Sequence, residues 1–445
     1  AFYLDNAIKE NNLAIDVYLL EASDRFGGKI NTLKKSGFMI ERGPDSFLIR
    51  KPSAERLARH VGLGDKLVKN GTGKSYVLVG NQLHPMPKGS FMGIPIDMEA
   101  FLESNLLSEA GKERVKKELM IEKGEPLEDQ SLGKFFKRHF GDELVNNLIE
   151  PLLSGIYAGD MDDLSLMATF SNFYQLEQQY GSLIKGLQAT LPPPDPHAKK
   201  ESKFYSMEGG LEALVEAITA AIQPGVLQKN ASVAQVKRNK KGYQLVTTNG
   251  DSYEADAVLF ATPYNVTKTW LSPYLSLSTE MKATSVANVA MAFDLDQIDD
   301  ELDGTGFVVS RNSDFRITAC TWTHKKWPET TVPMNKALLR CYVGRPGDED
   351  IVHYSDTELE KIVLNDLHKI MKIKGKPLFS VVSRWENGMP QYSIGHPQFV
   401  KNLEEQLEKE LPGVFVAGSS YQGIGIPDCI DQGEAATNKL LDFIQ

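Results

Sequence analysis

The feature that most constrains the fold is a short apolar strand that ends on an acidic residue and continues into a basic turn with two glycines. The run Asp16-Val-Tyr-Leu-Leu-Glu21 is followed by Arg25 and by Gly27-Gly28. A carboxylate at the end of the second strand of a nucleotide-binding βαβ unit can accept hydrogen bonds from ribose hydroxyls. Arg25 adds positive charge, and Gly28 allows the close backbone approach that a pyrophosphate needs. The pattern predicts a Rossmann-like domain; the alternative is an ordinary strand and turn with Glu21 facing solvent.

The segment before this strand is predicted to be a helix whose own beginning is not in the sequence. Residues 1–11 carry apolar side chains at helical spacing, yet no capping residue precedes Ala1. The glycine fingerprint G-x-G-x-x-G, which normally lies about 20 residues before the acidic residue, does not occur in the given sequence. We therefore expect a further strand and glycine-rich turn of roughly 15–25 residues upstream in the natural protein.

A second glycine-rich turn lies near the other end of the sequence. An apolar strand at 414–417 leads into Gly418, Gly423 and Gly425, and we expect a helix from about Asp431. Backbone N–H groups at the start of such a helix point at an anion. In flavoproteins this arrangement stabilises the pyrimidine end of the reduced flavin. A glycine-rich loop with no ligand is the alternative.

The chain between these two turns predicts an α/β (α+β mosaic) architecture. From about 90 to 180 the apolar periodicity is helical, and a Pro-rich linker is predicted at 191–200. A helix at 210–222 precedes a β-meander at 232–255 and a buried strand at 257–261. Strands dominate from 286 to 385, with one helix near 356–371. Such interleaving would bring distant residues together in one nucleotide-binding domain.

The composition excludes several functional classes. The net charge of −10 argues against a protein that binds nucleic acid through phosphate contacts. The three cysteines, Cys320, Cys341 and Cys429, are too few and too scattered for a metal site or a disulfide framework. They suit a reducing cytoplasm. The sequence contains no run of 18 apolar residues, and its first residues do not follow the charged-then-apolar pattern of a signal peptide.

Motifs along the whole sequence resemble those of the FAD-dependent porphyrinogen oxidases, which are members of the flavin monoamine-oxidase superfamily. Within that family the sequence most resembles the soluble type from Gram-positive bacteria that acts on coproporphyrinogen III. The missing N-terminal glycine fingerprint is its one departure from the family's pattern. The similar motifs are Glu41-Arg-Gly-Pro-Asp-Ser-Phe-Leu48, Leu83-His-Pro-Met-Pro-Lys-Gly89, Glu150-Pro-Leu-Leu-Ser-Gly-Ile-Tyr-Ala-Gly159, Thr305-Gly-Phe-Val-Val309, Met389-Pro-Gln-Tyr392 and Gly423-Ile-Gly-Ile-Pro-Asp-Cys429.

The resemblance implies an enzyme that uses FAD and O2 to oxidise a porphyrinogen to a porphyrin in haem biosynthesis. The substrate would be coproporphyrinogen III, with protoporphyrinogen IX as a further candidate. Six electrons would leave as three hydride-type transfers to flavin N5, with release of H2O2. No residue is predicted to be catalytic, because no general base is evident and the eight histidines form no cluster.

The resemblance also implies three domains. An FAD-binding domain would comprise 1–32, 204–273 and 413–445, and a substrate-binding domain 33–89 and 274–412. The helical insert at 90–203 would cover the cavity and could face a membrane.

Individual site residues follow from the same resemblance. Those that would hold the adenosine and pyrophosphate are Glu21, Ala22, Arg25 and Gly28. The residues that would lie beside the flavin ring or form the rest of its pocket are Arg42, Gly43, Pro44, Asp45, Trp385, Gly418, Gly425, Ile426 and Pro427. The backbone of Val233 would meet the adenine. Lys51 would meet a substrate propionate, with a solvated lysine as the alternative, and Gly155 and Ile156 would line the macrocycle's cavity.

Partners and location are expectations of the same kind. We expect a porphyrinogen and O2 as reactants, a ferrochelatase downstream, and no nucleic acid or metal. We also expect a monomer or homodimer in the cytoplasm with at most peripheral membrane contact. Two rival readings remain open: another flavin amine oxidase or desaturase of the superfamily, and a non-catalytic tetrapyrrole carrier.

Overall fold

The computed structural model describes residues 1–71, 73–192, 202–277, 280–298, 303–328 and 331–445. Most of the Pro-rich linker predicted at 191–200 lies outside these residues.

The strands, in chain order, are β1 (Leu19–Leu20), β2 (Thr32–Lys35), β3 (Phe38–Glu41), β4 (Phe47–Leu48), β5 (Leu67–Lys69), β6 (Tyr76–Val79), β7 (Gln82–Pro85), β8 (Ser90–Phe91), β9 (Ile94–Pro95), β10 (Phe204–Met207), β11 (Leu227–Gln228), β12 (Val233–Arg238), β13 (Tyr243–Thr247), β14 (Ser252–Ala255), β15 (Val258–Phe260), β16 (Ala283–Asp294), β17 (Gly306–Val309), β18 (Ala319–Trp322), β19 (Lys336–Val343), β20 (Phe379–Pro390) and β21 (Val414–Val416).

The helices occur throughout the chain and are concentrated between residues 98 and 190. In chain order they are α1 (Phe2–Asn11), α2 (Ser53–His60), α3 (Met98–Leu102), α4 (Glu109–Lys116), α5 (Leu132–Phe140), α6 (Asp142–Leu144), α7 (Glu150–Tyr157), α8 (Leu166–Tyr180), α9 (Leu183–Thr190), α10 (Glu212–Ala221), α11 (Tyr264–Leu271), α12 (Thr323–Lys326), α13 (Asp356–Met371), α14 (His396–Glu410) and α15 (Ile426–Ile444). A π-helical turn at Val145–Ile149 leads directly into α7.

The largest layer is a seven-stranded sheet in the order β20-β16-β19-β18-β17-β6-β7. Its neighbouring strands are antiparallel except for β17 and β6, which run parallel. Strand β16, the second in this order, is buried on both faces, to which its successive side chains alternate. Val289 and Met291 share an apolar cluster with Leu359 and Val363 of α13, whereas Ala290 packs in the cluster of β3. The mixed sheet and the α/β class are therefore confirmed.

The helices from α3 to α9 surround a second apolar cluster. Phe135, Phe136 and Phe173 are fully buried there and form edge-to-face aromatic pairs. Serine side chains cap α5, α8 and α9 by accepting a backbone N–H three residues on, so each helix begins where its sequence provides a cap. The predominantly helical structure predicted for residues 90–180 is confirmed.

A third region joins residues from the beginning, middle and end of the chain. It contains two short parallel pairs, β1 with β11 and β15 with β21, and the antiparallel meander β12-β13-β14. The strand predicted at 16–20 is shorter in the structure, because only Leu19 and Leu20 pair with β11. The prediction that the last helix begins near Asp431 was wrong. It begins at Ile426, where Pro427 occupies a first-turn position that needs no N–H partner.

Among the described residues, no helix combines the length and apolar character that crossing a lipid bilayer requires. The proposed division into three domains stays a prediction.

Candidate active site

One cavity of about 4290 Å³ runs between the parallel strand pairs, the seven-stranded sheet and the helices α7 and α8. It brings together nearly every residue that the sequence singled out. Pro427 is the exception, since it is buried and its carbonyl accepts a hydrogen bond from Ser53 Oγ at 3.0 Å. The predicted residues that line the cavity are Glu21, Ala22, Arg25, Gly28, Arg42, Gly43, Pro44, Asp45, Lys51, Gly155, Ile156, Val233, Trp385, Gly418, Gly425 and Ile426.

The turn after β1 is held by its own polar groups. Glu21 Oε1 accepts hydrogen bonds from the backbone N–H and the hydroxyl of Ser23, both at 2.8 Å. Within the described residues, no group donates to the other Glu21 oxygen. The guanidinium of Arg25 donates to the Gly28 carbonyl at 2.7 Å and pairs with Glu212 at 3.0 Å. Arg25 therefore shapes the turn, and part of its charge is already balanced by Glu212.

The glycine-rich turn before α15 is fixed by Tyr392, a residue of the Met389–Tyr392 motif. Its hydroxyl donates to the Ser419 carbonyl and accepts from the Gly423 N–H, both at 2.8 Å. The His396 ring stacks on it, with 4.0 Å between ring centroids, and binds the Tyr421 carbonyl. Burial raises the pKa of Tyr392, so the hydroxyl stays protonated and can keep both bonds. The first turn of α15, including Gly425 and Ile426, thus faces the cavity in a fixed position.

Lys51 lies next to the same helix start, where its ammonium forms an ion pair with Asp428. The structure places Lys51 at the cavity wall and gives it a carboxylate partner from the chain itself. Ile156 of α7, which also lines the cavity, is 42% exposed, and a Cβ added at Gly155 would meet no atom within 4 Å. These two residues leave room for a large apolar ligand.

The turn Arg42-Gly43-Pro44 passes close to the backbone of Lys29. A Cβ built on Gly43 would lie only 1.9 Å from the Lys29 carbonyl oxygen, so no larger residue fits there. Trp385 Nε1 donates to the Arg42 carbonyl at 2.8 Å, and Arg42 Nε donates to Ser383 Oγ at 3.0 Å. Strand β20 therefore holds this turn at the cavity wall.

Asp45 lies beneath the same turn with two buried cations that the sequence analysis missed. Lys326 Nζ lies 2.9 Å and Arg340 Nη1 3.2 Å from Asp45 Oδ2. Arg340 is fully buried and also donates to the Gly43 carbonyl at 2.8 Å. Burial would raise the pKa of Asp45, but Lys326 and Arg340 outweigh that effect and hold its pKa well below the usual range. Asp45, Lys326 and Arg340 together form a fixed, charged support for the turn.

Glu41, at the end of β3, is a second buried carboxyl group that the sequence analysis did not single out. It accepts hydrogen bonds from the Leu211 N–H at 2.7 Å and from the Thr32 hydroxyl at 2.9 Å. Even so, burial raises the pKa of Glu41 from 4.5 to about 7. The Glu41 side chain is therefore close to half-ionised near neutral pH.

This raised pKa predicts a pH-dependent loss of stability. Because the folded protein holds the Glu41 proton more tightly than the unfolded chain does, its stabilising contribution is complete below about pH 4.5 and disappears as the pH rises through about 7. We expect that contribution to be about 3 kcal/mol. Unfolding measured from about pH 5 to about pH 8 should show a shallower fall for Glu41→Gln than for wild type. Parallel curves for the two proteins would contradict the assignment.

Comparison with known proteins identifies a family and full-length relatives that this chain resembles. The family model described as "Flavin containing amine oxidoreductase" matches residues 6–441. A protein of Bacillus subtilis (strain 168) named coproporphyrinogen III oxidase is 49% identical over 100% of this chain and 95% of its own length. The protein of the same name from Staphylococcus aureus is 41% identical over 98% and 95% of the two chains. A crystal structure from Exiguobacterium sp. 255-15 superposes with a TM-score of 0.89 at 36% identity, covering 100% of this chain and 96% of the other.

Proposed function

The chain belongs to the flavin-containing amine oxidoreductase family, and from that membership we propose that it is an FAD-dependent oxidase that converts coproporphyrinogen III to coproporphyrin III in haem biosynthesis. The observation that carries the proposal is the near full-length similarity to two proteins named coproporphyrinogen III oxidase. Protoporphyrinogen IX is a further candidate substrate.

The cavity has room and chemistry for FAD. A Cβ added at Gly28 or Gly433, two of its lining residues, would meet no protein atom within 4 Å. Gly433 lies within α15, where neither packing nor a left-handed backbone requires glycine, so the space beside it is open to a ligand, whereas Gly28 has φ +54°, a conformation that itself favours glycine. The residues of this chain therefore fit the cofactor.

We assign the parts of FAD to groups that face the cavity. The unpaired Glu21 oxygen would accept from the ribose, and the backbone at Gly28 would approach the pyrophosphate. The backbone of Val233, at the start of the meander, would meet the adenine. The first turn of α15 at Gly425 and Ile426 would face the pyrimidine end of the flavin, where its N–H groups favour negative charge.

The charge of the cavity supports an anionic substrate and cofactor. The chain as a whole has a net charge of −10, yet thirteen Lys or Arg and nine Asp or Glu line the cavity. A cavity whose net charge is positive, in a protein whose overall net charge is negative, concentrates anions such as propionates and phosphates. The cavity wall is otherwise rich in apolar groups, which suits a tetrapyrrole ring.

The chain's own contribution to the reaction is to bind, orient and exclude water. FAD, when bound, supplies the two-electron oxidation chemistry. Ile156 and Gly155 would lie against the apolar macrocycle, and Trp385 with the Arg42–Pro44 turn would close the opposite side. Positioning of this kind accounts for large rate effects without a dedicated general base. For each porphyrin formed, three O2 would be reduced to three H2O2, which balances six electrons and six protons.

Anaerobic mixing of the yellow protein with coproporphyrinogen III tests the function. We expect loss of the visible flavin absorbance, its return when air is admitted, and coproporphyrin fluorescence with three H2O2 per porphyrin. Tight binding with an unchanged flavin spectrum would mean a tetrapyrrole carrier instead. Bleaching by an amine but not by the porphyrinogen would mean an amine oxidase.

We further propose a cytoplasmic location with at most peripheral membrane contact, as a monomer or homodimer. The three free thiols, two of them buried, support a reducing compartment. Because the product is a metal-free porphyrin, a ferrochelatase is the partner that we expect to consume it.

A further inference from the structure

Two arginines line the cavity where the helical region contacts the seven-stranded sheet. Arg311 follows β17, and its N–H donates to the Asn146 carbonyl in the π-helical turn at 3.2 Å. Arg345 follows β19 and is placed by Gly344, at which a Cβ would lie 2.6 Å from the Ser285 carbonyl oxygen. Both arginines line the cavity and both are half-buried. π-Helical turns are frequent at functional sites.

The charges of this pair are not balanced by the protein. Arg311 has one distant carboxylate partner, Glu150, at 3.5 Å. Within the part of the chain that the structure describes, the Arg345 side chain has no hydrogen-bond or ion-pair partner. The nearby Asp348 is already bound by Arg316, with hydrogen bonds of 2.7 and 3.0 Å. Glu150 therefore pairs with Arg311 only, and the charge of Arg345 is left without a direct partner among the described residues.

This excess of positive charge at the cavity wall favours the binding of an anion. Burial, and then the positive charge of Arg311, lower the pKa of Arg345. A half-buried guanidinium beside another cation lacks the partner that buried charges normally have. A carboxylate supplies that partner, and guanidinium groups bind carboxylates with two parallel hydrogen bonds. Lys51 differs, because its charge is already paired with Asp428.

We propose that Arg345, together with Arg311, binds propionate carboxylates that coproporphyrinogen III has and protoporphyrinogen IX lacks. The first carries four propionates, whereas the second carries two, with vinyl groups in the other two places. The assignment rests on the proposed function and makes Arg345 a residue that determines the preference between these substrates.

Arg345→Gln tests this assignment in the holoenzyme. We expect KM for coproporphyrinogen III to rise roughly tenfold to a hundredfold, because the substitution removes one charge-assisted hydrogen-bonding interaction. KM for protoporphyrinogen IX should change by less than about threefold, so the ratio of kcat/KM values between the substrates should collapse. Arg345→Lys, which keeps the charge without the bidentate geometry, should lose less selectivity. The control is Arg59→Gln, which removes an equal charge from an exposed pair with Glu55 outside the cavity.

Porphyrin binding gives a readout that does not depend on turnover. The wild-type holoenzyme should bind coproporphyrin III about tenfold or more tighter than protoporphyrin IX, and Arg345→Gln should remove that difference. Equal binding of both porphyrins by wild type, or unchanged selectivity in Arg345→Gln and Arg345→Lys, would overturn the inference. If wild type binds coproporphyrin III preferentially but oxidises no porphyrinogen, the proposed function fails while the carboxylate site stands.

Discussion

Gly43→Ala is expected to purify with little or no bound FAD. The added methyl group would lie 1.9 Å from the carbonyl oxygen and 3.0 Å from the carbonyl carbon of Lys29. Because both are backbone atoms, the clash is relieved only by moving the Arg42–Pro44 turn or the segment around Lys29, and both line the cavity. A loss of about 1.4 kcal/mol of binding free energy lowers affinity about tenfold, and a backbone shift in this wall should cost at least that much. We expect FAD affinity, measured by titrating the apoprotein and following flavin fluorescence, to fall by at least that factor.

Gly73→Ala is the matched control for this substitution. Gly73 also lines the cavity, is exposed, and has no atom within 4 Å of the position that a Cβ would take. Its flavin content, read from the ratio of visible to ultraviolet absorbance, should equal that of wild type. Stoichiometric FAD with normal affinity in Gly43→Ala would show that the turn at Gly43 does not bound the cofactor site.

Asp45→Asn is expected to produce the largest loss of stability. It would leave the fully buried Arg340 and the largely buried Lys326 without the carboxylate that they share. Removing one partner of a buried ion pair typically lowers the free energy of unfolding by about 3–5 kcal/mol, because the remaining charge is buried and uncompensated. We expect a clear fall in the unfolding midpoint in denaturant and in Tm. Flavin affinity should also fall, since Arg340 donates to the Gly43 carbonyl.

Two comparisons isolate the cause. Asp163→Asn removes a carboxylate from an exposed ion pair with Lys282 and should change the free energy of unfolding by about 1 kcal/mol or less. The double variant Asp45→Asn/Arg340→Met, which also removes a buried cation, should recover part of the loss. A stability of Asp45→Asn close to wild type would mean that these charges are solvated in the protein.

The sequence predicts the cavity-lining residues best where a short motif contains all the residues that its local backbone structure requires. A strand ending on Glu21 and a turn at Gly418–Gly425 each contain the acidic or glycine residues that their backbone role demands, and both line the cavity. The mixed sheet and the helical region follow from the hydrophobic period of their own residues. The specific roles of these residues toward FAD stay predictions.

The residues that the sequence analysis missed have partners far away along the chain. Asp45 was expected beside the flavin, but nothing near it in sequence points to Lys326 and Arg340. A signal did exist for Arg340, since a charged residue within the otherwise apolar run of β19 must find a buried partner. Arg345 carries no such signal, because a lone arginine after a strand normally faces solvent.

The strand pairings that enclose the cavity also set when it can form during synthesis. Strand β15 pairs with β21, and β6 pairs with β17. During synthesis β15 and β6 therefore stay unpaired until partner strands much later in the chain have been translated. Contacts of such high sequence separation slow folding, and unpaired strands are prone to aggregate in the interval. The cofactor pocket therefore cannot be completed before β21 has been synthesised, and a cell that makes this protein faster than FAD is supplied would accumulate vulnerable apoprotein.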